Sequence, residues 1–298
     1  MSKLHVICYH RILPAVSADK GSVDYYHSRR DILHPLGDFR RQMDLIQGRC
    51  DVLDADAFVA RRRLGGGGRP GVLLTFDDGY ADFEHVVLPE LAERNLPCVL
   101  FPTKAPVVEG FVPPADKVYA ILATAHAKGG ASSLDMESWV SGSAKKEMLR
   151  ASPVVQAAMI DRLFKATGIT SAAVPPAHMT EERLRALPSS VYIGAHGLFH
   201  HLFGSLSSAQ LKAELEEIVA WVRRLRPNQA AGMWLAYPNG EAGNTDNHQA
   251  VVDAVGLSGV DLAFIAGVKP VDVSCGNDLL IPRLFSKSGV EWLSAIIY

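Results

Sequence analysis

The chain has 298 residues, 48% of them hydrophobic, which is enough for one large domain or two modest ones around a substantial core. Its 30 basic and 32 acidic residues give a net charge of -2, so no general attraction to nucleic acid or to an anionic membrane is expected. The four cysteines lack C-x-x-C spacing, which argues against a zinc cluster or a disulfide framework. No transmembrane run or signal-peptide pattern is present, which predicts a cytoplasmic protein.

Short apolar runs rich in β-favouring residues alternate with helical patterns along the chain. The predicted strands are, in order, LHVICYH, GVLLTF, PCVLFPT, VYIGAH, GMWLAYP, LAFIAG and LLIPRLF. Helices are predicted at LGDFRRQMDLIQ, at FEHVVLPELAERN and, most clearly, at LSSAQLKAELEEIVAWVRRLRP. This alternation predicts βα units around a parallel sheet or barrel.

Residues 104–188 differ in composition, being rich in Ala, Ser and Pro, with helical patches such as DKVYAILATAHA and VVQAAMIDRLFKA. We interpret this segment as a mainly helical insertion that forms part of a substrate wall. The chain is then a single catalytic domain over residues 1–298.

Two adjacent carboxylates, Asp77 and Asp78, follow the strand GVLLTF directly and precede a glycine. Like charges at this distance repel, so both stay ionised only if a cation or a hydrogen-bond network offsets them. The alternative is an ordinary aspartate-rich turn after a strand.

Three histidines lie close together in VYIGAHGLFHHLFGSLS, namely His196, His200 and His201. The four-residue spacing of the first two can present two imidazoles to one metal ion, and an aspartate adds an anionic oxygen. Such a set leaves positions open for water and substrate, and it suits hydrolytic zinc or another first-row divalent ion. The alternative is a polar loop with incidental histidines.

Four motifs together resemble the polysaccharide deacetylase family, which is carbohydrate esterase family 4 with its NodB homology domain. They are TFDDG, the H-x-x-x-H of HGLFH, AYPNG at 236–240 and IPRLF at 281–285. The N-terminal YHR at 9–11 resembles the branch whose barrel order is circularly permuted. The matching segments cover roughly residues 1–102 and 190–298. The resemblance implies an α/β fold, a distorted, TIM-like (β/α)7-type barrel.

The resemblance also implies the roles of the site residues. Asp78, His196 and His200 would bind a divalent metal, most often zinc, with cobalt, nickel, iron or manganese as alternatives. Asp77 would be the general base in the hydrolysis of an N-acetyl group from an N-acetylated amino sugar.

An amine leaves only when its nitrogen is protonated, so a general acid is needed. The family's usual C-terminal leucine-x-histidine element has no counterpart, since no histidine follows His248. In the permuted branch the N-terminal histidine takes that place, which makes His10 the candidate. His201 and His248 are alternatives, as is a purely structural role for His10. His27 and the other histidines are expected to be surface or packing residues.

The family often has an arginine, which orients the base, in the element matched by LAYPNG, but here Ala236 and its neighbours offer none. Arg283 is the candidate to supply that positive charge, the alternative being a strand-end arginine.

Further candidates surround these motifs. Tyr80 follows the carboxylates and is expected to contact substrate or water, or to pack on the next helix. Tyr237, Pro238, Asn239 and Gly240 are expected to form the pocket floor, with nearby backbone N–H groups as oxyanion donors.

The substrate is predicted to be an N-acetylated sugar within a glycan or linked to a lipid or nucleotide, and a lipid carrier would involve peripheral membrane contact. One alternative keeps the metal site but acts as a deformylase, amidase or O-deacetylase on a small molecule. Another alternative is a catalytically silent barrel that binds glycan. Such a barrel is expected to lack at least one of four site residues, but all four are present here: Asp77, Asp78, His196 and His200. The sequence makes no prediction of the oligomeric state.

Overall fold

The computed structural model describes residues 3–65, 68–129, 135–267 and 272–294. The strands are β1 (Leu4–Tyr9), β2 (Arg11–Leu13), β3 (Leu33–Pro35), β4 (Asp51–Val52), β5 (Gly71–Asp78), β6 (Cys98–Pro102), β7 (Val191–Ile193), β8 (Trp234–Ala236), β9 (Leu262–Gly267) and β10 (Ile281–Phe285).

Helices alternate with these strands, and four short π or 3-10 helical turns are also present in the described residues. The α-helices are α1 (Val23–Ser28), α2 (Leu36–Arg49), α3 (Ala55–Leu64), α4 (Leu88–Glu93), α5 (Lys104–Glu109), α6 (Pro114–Ala127), α7 (Met136–Val140), α8 (Ser143–Arg150), α9 (Pro153–Ala166), α10 (Glu181–Ala186), α11 (Ser208–Leu225) and α12 (His248–Leu257). A π-helical turn at Phe83–Val87 leads into α4, and 3-10 turns lie at Phe203–Ser205, Pro238–Gly240 and Glu291–Leu293. Across the described residues, no helix combines the length and apolar character needed to cross a bilayer.

Seven parallel strands form a barrel in the order β7-β6-β5-β1-β10-β9-β8. The two end strands meet through a parallel bridge between Ala195 and Leu235, where the Ala195 N–H donates to the Trp234 carbonyl at 2.9 Å. Because all seven strands run in the same direction, their carboxyl ends share one rim. The predicted barrel is therefore confirmed, and each of the seven predicted apolar runs supplies one of its strands.

The predicted long helix after the histidines is confirmed as α11, and its first turn shows why it begins there. The Ser207 hydroxyl accepts from the Gln210 N–H, and the Gln210 side chain accepts from the Ser207 N–H. Such a capping box typically stabilises a helix by about 1 kcal/mol. Its buried face carries Leu211, Leu215 and Ile218 toward the barrel core.

The chain between β6 and β7 is helical and has a small core of its own. Val118 and Leu122 of α6 are buried in one cluster with Met148 of α8 and Leu163 of α9. Residues of α1 join the same cluster, including Tyr26. This packing fixes α6 and α8 in position. Residues 130–134 of the predicted insertion lie outside the described residues, and its status as an insertion into a single domain stays a prediction.

Candidate active site

The two adjacent aspartates end β5 at the carboxyl rim, and a backbone turn separates their side chains. Asp78 has a φ of 70° and Gly79 a φ of 79°, both in the left-handed region. A Cβ at Gly79 would lie 2.8 Å from the Cβ of Pro102, so this position requires glycine. As a result Asp77 faces Arg283, whereas Asp78 faces His196 and His200.

The side chains of Asp78, His196 and His200 form a compact triangle of ligand atoms. Asp78 Oδ1 lies 3.4 Å from His196 Nε2 and 3.3 Å from His200 Nε2, and the two nitrogens are 3.2 Å apart. A tetrahedral zinc ion holds nitrogen and oxygen ligands at about 2.0–2.1 Å, which separates the ligand atoms by about 3.3–3.4 Å. The three side chains therefore fit one divalent ion of this size.

The orientation of His196 is set by strand β8. Its Nδ1–H donates to the Ala236 carbonyl at 2.8 Å, which leaves the Nε2 lone pair directed at the triangle. Ala236 belongs to the motif in which the family often has an arginine. Here its backbone carbonyl orients the metal-binding residue His196. His200 has a φ of 60°, and its carbonyl accepts from Asn239 Nδ2 at 3.3 Å. Asn239 is itself left-handed, so three residues at this site hold an uncommon backbone conformation.

Electrostatics also favour a cation within the triangle. Burial and the neighbouring charge of Asp77 raise the pKa of Asp78 well above its usual range. Burial lowers the pKa of both His196 and His200, so both imidazoles are neutral. Among the described residues, no lysine or arginine forms an ion pair with Asp78. A bound divalent ion would supply the charge that this buried carboxylate lacks.

Asp77 is held by Arg283 in a bidentate pair. The two guanidinium nitrogens lie 2.6 and 2.7 Å from Oδ1 and Oδ2, and Arg283 reaches from β10 across β1 to do so. Burial raises the pKa of Asp77, but Arg283 outweighs it, and the net pKa lies well below its usual range. Asp77 is therefore ionised, and its Oδ2 lies 3.8 Å from His196 Nε2.

A second group of potential ligands adjoins the first. Cys8, His10 and Asp77 have donor atoms within 4.8 Å of one another. However, Asp77 is already paired with Arg283, and burial raises the pKa of the Cys8 thiol well above its usual range. A protonated thiol is a poor metal ligand, so the triangle is the better candidate metal centre.

His10 lies beside Asp77 at the end of β1. Its Nε2 is 4.0 Å from Asp77 Oδ2, and its ring packs on Phe285 at 5.1 Å between centroids. Burial lowers its pKa to about 3, and its Nδ1 has no hydrogen-bond partner in the described structure. The two alternative acids, His201 and His248, do not line the cavity that contains Asp77.

A cavity of about 180 Å³ opens above these residues, and it sorts the predicted substrate-binding residues into two groups. Tyr80, Asn239 and Gly240 line it, whereas Tyr237 and Pro238 do not. The Tyr237 N–H donates to Phe264 and the Gly240 N–H to Tyr237, each at 2.9 Å. These two N–H groups are therefore not free to act as oxyanion donors.

Several cavity residues were not identified from the sequence. His27 is buried, and its Nε2 lies 2.8 Å from Asp116 Oδ1, while the Tyr80 hydroxyl donates to Asp116 at 3.0 Å. Tyr119 and Lys145 add to this wall from α6 and α8. No local motif marks these residues, because His27 and Asp116 are 89 positions apart and meet only through packing of α1 on α6.

Comparison with known proteins gives a family and a fold. The sequence profile of a family described as polysaccharide deacetylase matches residues 65–260. No curated protein sequence matches the chain. The circular permutation that the YHR motif predicts stays a prediction.

Several solved structures share the fold. The Streptococcus pyogenes deacetylase PplD in complex with acetate is 13% identical with a TM-score of 0.63, and the match covers 99% of this chain and 98% of that one. IcaB from Ammonifex degensii is 15% identical with a TM-score of 0.55, over 96% and 93% of the two chains. A de-N-acetylase from Aggregatibacter actinomycetemcomitans is 15% identical with a TM-score of 0.57, over 97% and 96%. At these identities the likeness shows the fold alone.

Proposed function

Because the chain belongs to the polysaccharide deacetylase family and is thus a hydrolase of the carbohydrate deacetylase class, we propose that it removes the N-acetyl group of an N-acetylated amino sugar with a divalent metal ion, best zinc. The observation that carries this proposal is the triangle of Asp78, His196 and His200, whose spacing fits such an ion. It lies beside an ionised carboxylate in the same cavity.

The protein's own groups then divide the chemistry. The chemistry that a bound divalent ion supplies is polarisation of the acetyl carbonyl and a lower pKa for water. Asp77 accepts the proton of the attacking water through Oδ2, the oxygen nearer His196. Arg283 holds both oxygens of Asp77, so that the base stays ionised and correctly oriented.

We assign the proton transfer to the leaving nitrogen to His10. Because burial keeps His10 neutral, it can receive the proton from Asp77 and then donate it to the nitrogen as the C–N bond breaks. The 4.0 Å between His10 Nε2 and Asp77 Oδ2 is longer than a hydrogen bond, and catalytic contacts commonly shorten when substrate binds. The products are acetate and the free amine.

The finer substrate assignment is a glycan, lipid-linked or nucleotide-linked sugar in the cytoplasm, with lipid carriers approached from the membrane surface. The volume of the cavity, about 180 Å³, supports recognition of a single sugar residue at a time. Its wall includes Asp116 and Tyr119 of the helical segment between β6 and β7, which supports a role for that segment in substrate choice.

The test is the release of acetate and formate from a panel of N-acylated amino sugars and of small amides and acetyl esters. Metal-stripped protein is assayed with and without zinc, beside Asp77→Asn and a matched control, Asp246→Asn, which changes an exposed aspartate outside the cavity. We expect zinc-dependent acetate release from an amino sugar, lowered about 10²- to 10⁴-fold by Asp77→Asn alone.

Turnover of only a formamide, a small amide or an O-acetyl ester would replace the proposal with the alternative hydrolase. Stoichiometric zinc binding without turnover of any compound in the panel would favour a glycan-binding barrel.

A further inference from the structure

Two cationic side chains line the cavity without an acidic partner. Arg30 follows α1 and Lys145 lies on α8. Among the described residues neither one forms a salt bridge, whereas the other cavity arginine, Arg283, is paired with Asp77. Arg30 is exposed and stays solvated, whereas Lys145 is half-buried, and a cation that is partly removed from water is stabilised by a ligand that supplies negative charge.

Helix α8 carries two lysines, of which Lys145 lines the cavity and Lys146 is exposed to solvent. Lys145 and Leu149 are four residues apart, so they share one face of the helix, and both line the cavity. Another face of the helix carries Met148, which is fully buried in the helical core and fixes the orientation of the helix. The lysine therefore points at the site because of how the helix packs.

Tyr119 joins the two cations into one cluster. The Lys145 ammonium donates to the Tyr119 hydroxyl and lies 5.1 Å from the centroid of its ring. Burial raises the pKa of the Tyr119 hydroxyl, and the positive charge of Arg30 partly opposes this, which indicates that Arg30 lies near the same hydroxyl. Burial, with a smaller effect from the charge of Arg30, lowers the pKa of Lys145 to about 7, while Asp116 opposes this change. An anion bound beside Lys145 would oppose this lowering of the pKa and favour the charged form of the ammonium.

We propose that Arg30, Lys145 and the Tyr119 hydroxyl form an anion subsite that binds a phosphate group carried by the amino-sugar substrate. This inference rests on the proposed function and narrows its substrate to a phosphorylated one. A guanidinium, an ammonium and a hydroxyl provide donors for separate oxygens of a phosphate, and charge-assisted bonds of this type are the strong ones. The phosphate of a sugar 1-phosphate, a nucleotide sugar and a lipid-linked sugar has this shared chemistry.

The first experiment compares kcat/KM for N-acetylglucosamine 1-phosphate with kcat/KM for its neutral methyl glycoside. The variants are Lys145→Gln and Arg30→Gln. The matched control is Lys146→Gln, which removes the same charge from the next, exposed position of α8. We expect each subsite variant to lower the ratio of the two values about 10- to 100-fold, since bonds to charged groups contribute about 1.5–3 kcal/mol. The control should leave the ratio unchanged. An equal ratio in all four proteins would overturn the subsite.

Two further substrates identify the source of the phosphate. These are a uridine diphosphate-linked N-acetyl sugar and a short polyprenyl pyrophosphoryl N-acetyl sugar in detergent. The compound with the highest kcat/KM whose value depends on Lys145 names the carrier. If the neutral glycoside surpasses every phosphorylated compound, the inference is wrong although the proposed function stands.

Direct binding separates failure of the subsite from failure of the proposed function. Calorimetry with inorganic pyrophosphate uses metal-free protein, so that the probe cannot bind through a metal ion. We expect binding that weakens about tenfold or more in Lys145→Gln and not in Lys146→Gln. That result would support the subsite even if no N-acetyl sugar were hydrolysed. No binding to the unsubstituted protein would overturn it.

Discussion

Asp77 and Asp78 are neighbours in sequence with opposite electrostatic settings. Arg283 holds the pKa of Asp77 below its usual range, whereas burial and the charge of Asp77 raise the pKa of Asp78. One carboxylate is thus paired with a cationic side chain, whereas the other has no such partner among the described residues and would gain one from a bound metal ion. A pair of identical residues acquires two different roles because the backbone turn at Asp78 gives them different neighbours.

The bidentate pair between Arg283 and Asp77 predicts large effects for substitutions of this single arginine. Arg283→Gln leaves Asp77 buried without its cation, and we expect unfolding to become easier by about 3–5 kcal/mol. Arg283→Lys keeps the charge but loses the two-pronged geometry. We expect that variant to fold, to bind zinc with unchanged stoichiometry, and to lose about 10- to 100-fold in kcat.

The measurements are denaturant unfolding, zinc titration and initial rates. Arg62→Lys is the control, because Arg62 is another largely buried arginine, paired with Asp278 outside the cavity. Full kcat in Arg283→Lys would show that charge alone positions the base.

At the scale of elements, the loop that carries both ligand histidines is held from two sides. Its Leu198 N–H donates to Glu214 of α11 at 2.8 Å. From the start of α5, the Ala105 N–H donates to the Leu198 carbonyl at 2.8 Å. The Thr103 hydroxyl donates to the His196 carbonyl at 3.2 Å. A loop fixed by its backbone keeps His196 and His200 at ligand spacing.

Glu214 makes one of these contacts, and its effect on the free energy of unfolding depends on pH. Burial raises its pKa from 4.5 to about 7, and the Leu198 N–H only partly opposes this. Between these values the folded state binds more protons than the unfolded state, so stability falls as pH rises through this window. Glu214→Gln keeps an acceptor oxygen without the charge. We expect it to exceed the unsubstituted protein in stability at about pH 8, by roughly 3 kcal/mol at most.

The difference should shrink toward about pH 5, where Glu214 is mostly protonated when folded. Urea unfolding of metal-free protein at both pH values gives the two free energies. Glu216→Gln, on the exposed face of the same helix, is the control and should show no such pH dependence. A Glu214→Gln variant that is less stable at about pH 8 would contradict the expectation.

For the whole molecule, the candidate ligands come from segments that are far apart in sequence and lie on the same side of the barrel wall. Asp78 ends β5, and His196 and His200 follow β7, with β6 between these strands. A ligand that binds only the folded state stabilises it by mass action. We expect zinc at 100 times its Kd to raise the free energy of unfolding by about 2.7 kcal/mol.

Thermal and denaturant unfolding of chelator-treated protein, with and without zinc, measures this gain. His200→Ala should lose most of it, whereas His85→Ala, which removes an exposed histidine elsewhere, should retain it. An equal zinc effect in both variants would place the ion outside the triangle.

The sequence was informative where structure depends on local pattern. Each barrel strand is a short apolar run, and the site motifs end such runs, so the common rim could be predicted together with Asp77, Asp78, His196 and His200. A wall formed by residues 104–188 could also be predicted, but its individual residues could not, because Asp116, Tyr119 and Lys145 lie on helices without a distinguishing motif. Their approach to the rim depends on how α6 and α8 pack, and no short motif encodes that.

The barrel closes next to His196, one of the candidate metal-binding residues. Ala195 forms the bridge that joins β7 to β8, the next residue is His196, and the His196 ring bonds to Ala236 on the opposite strand. An ion held by His196 and by Asp78 would therefore oppose local opening of this junction, where a single bridge pairs the two strands. Amide exchange at the junction and occupancy of the metal centre would then be governed by a single linked equilibrium.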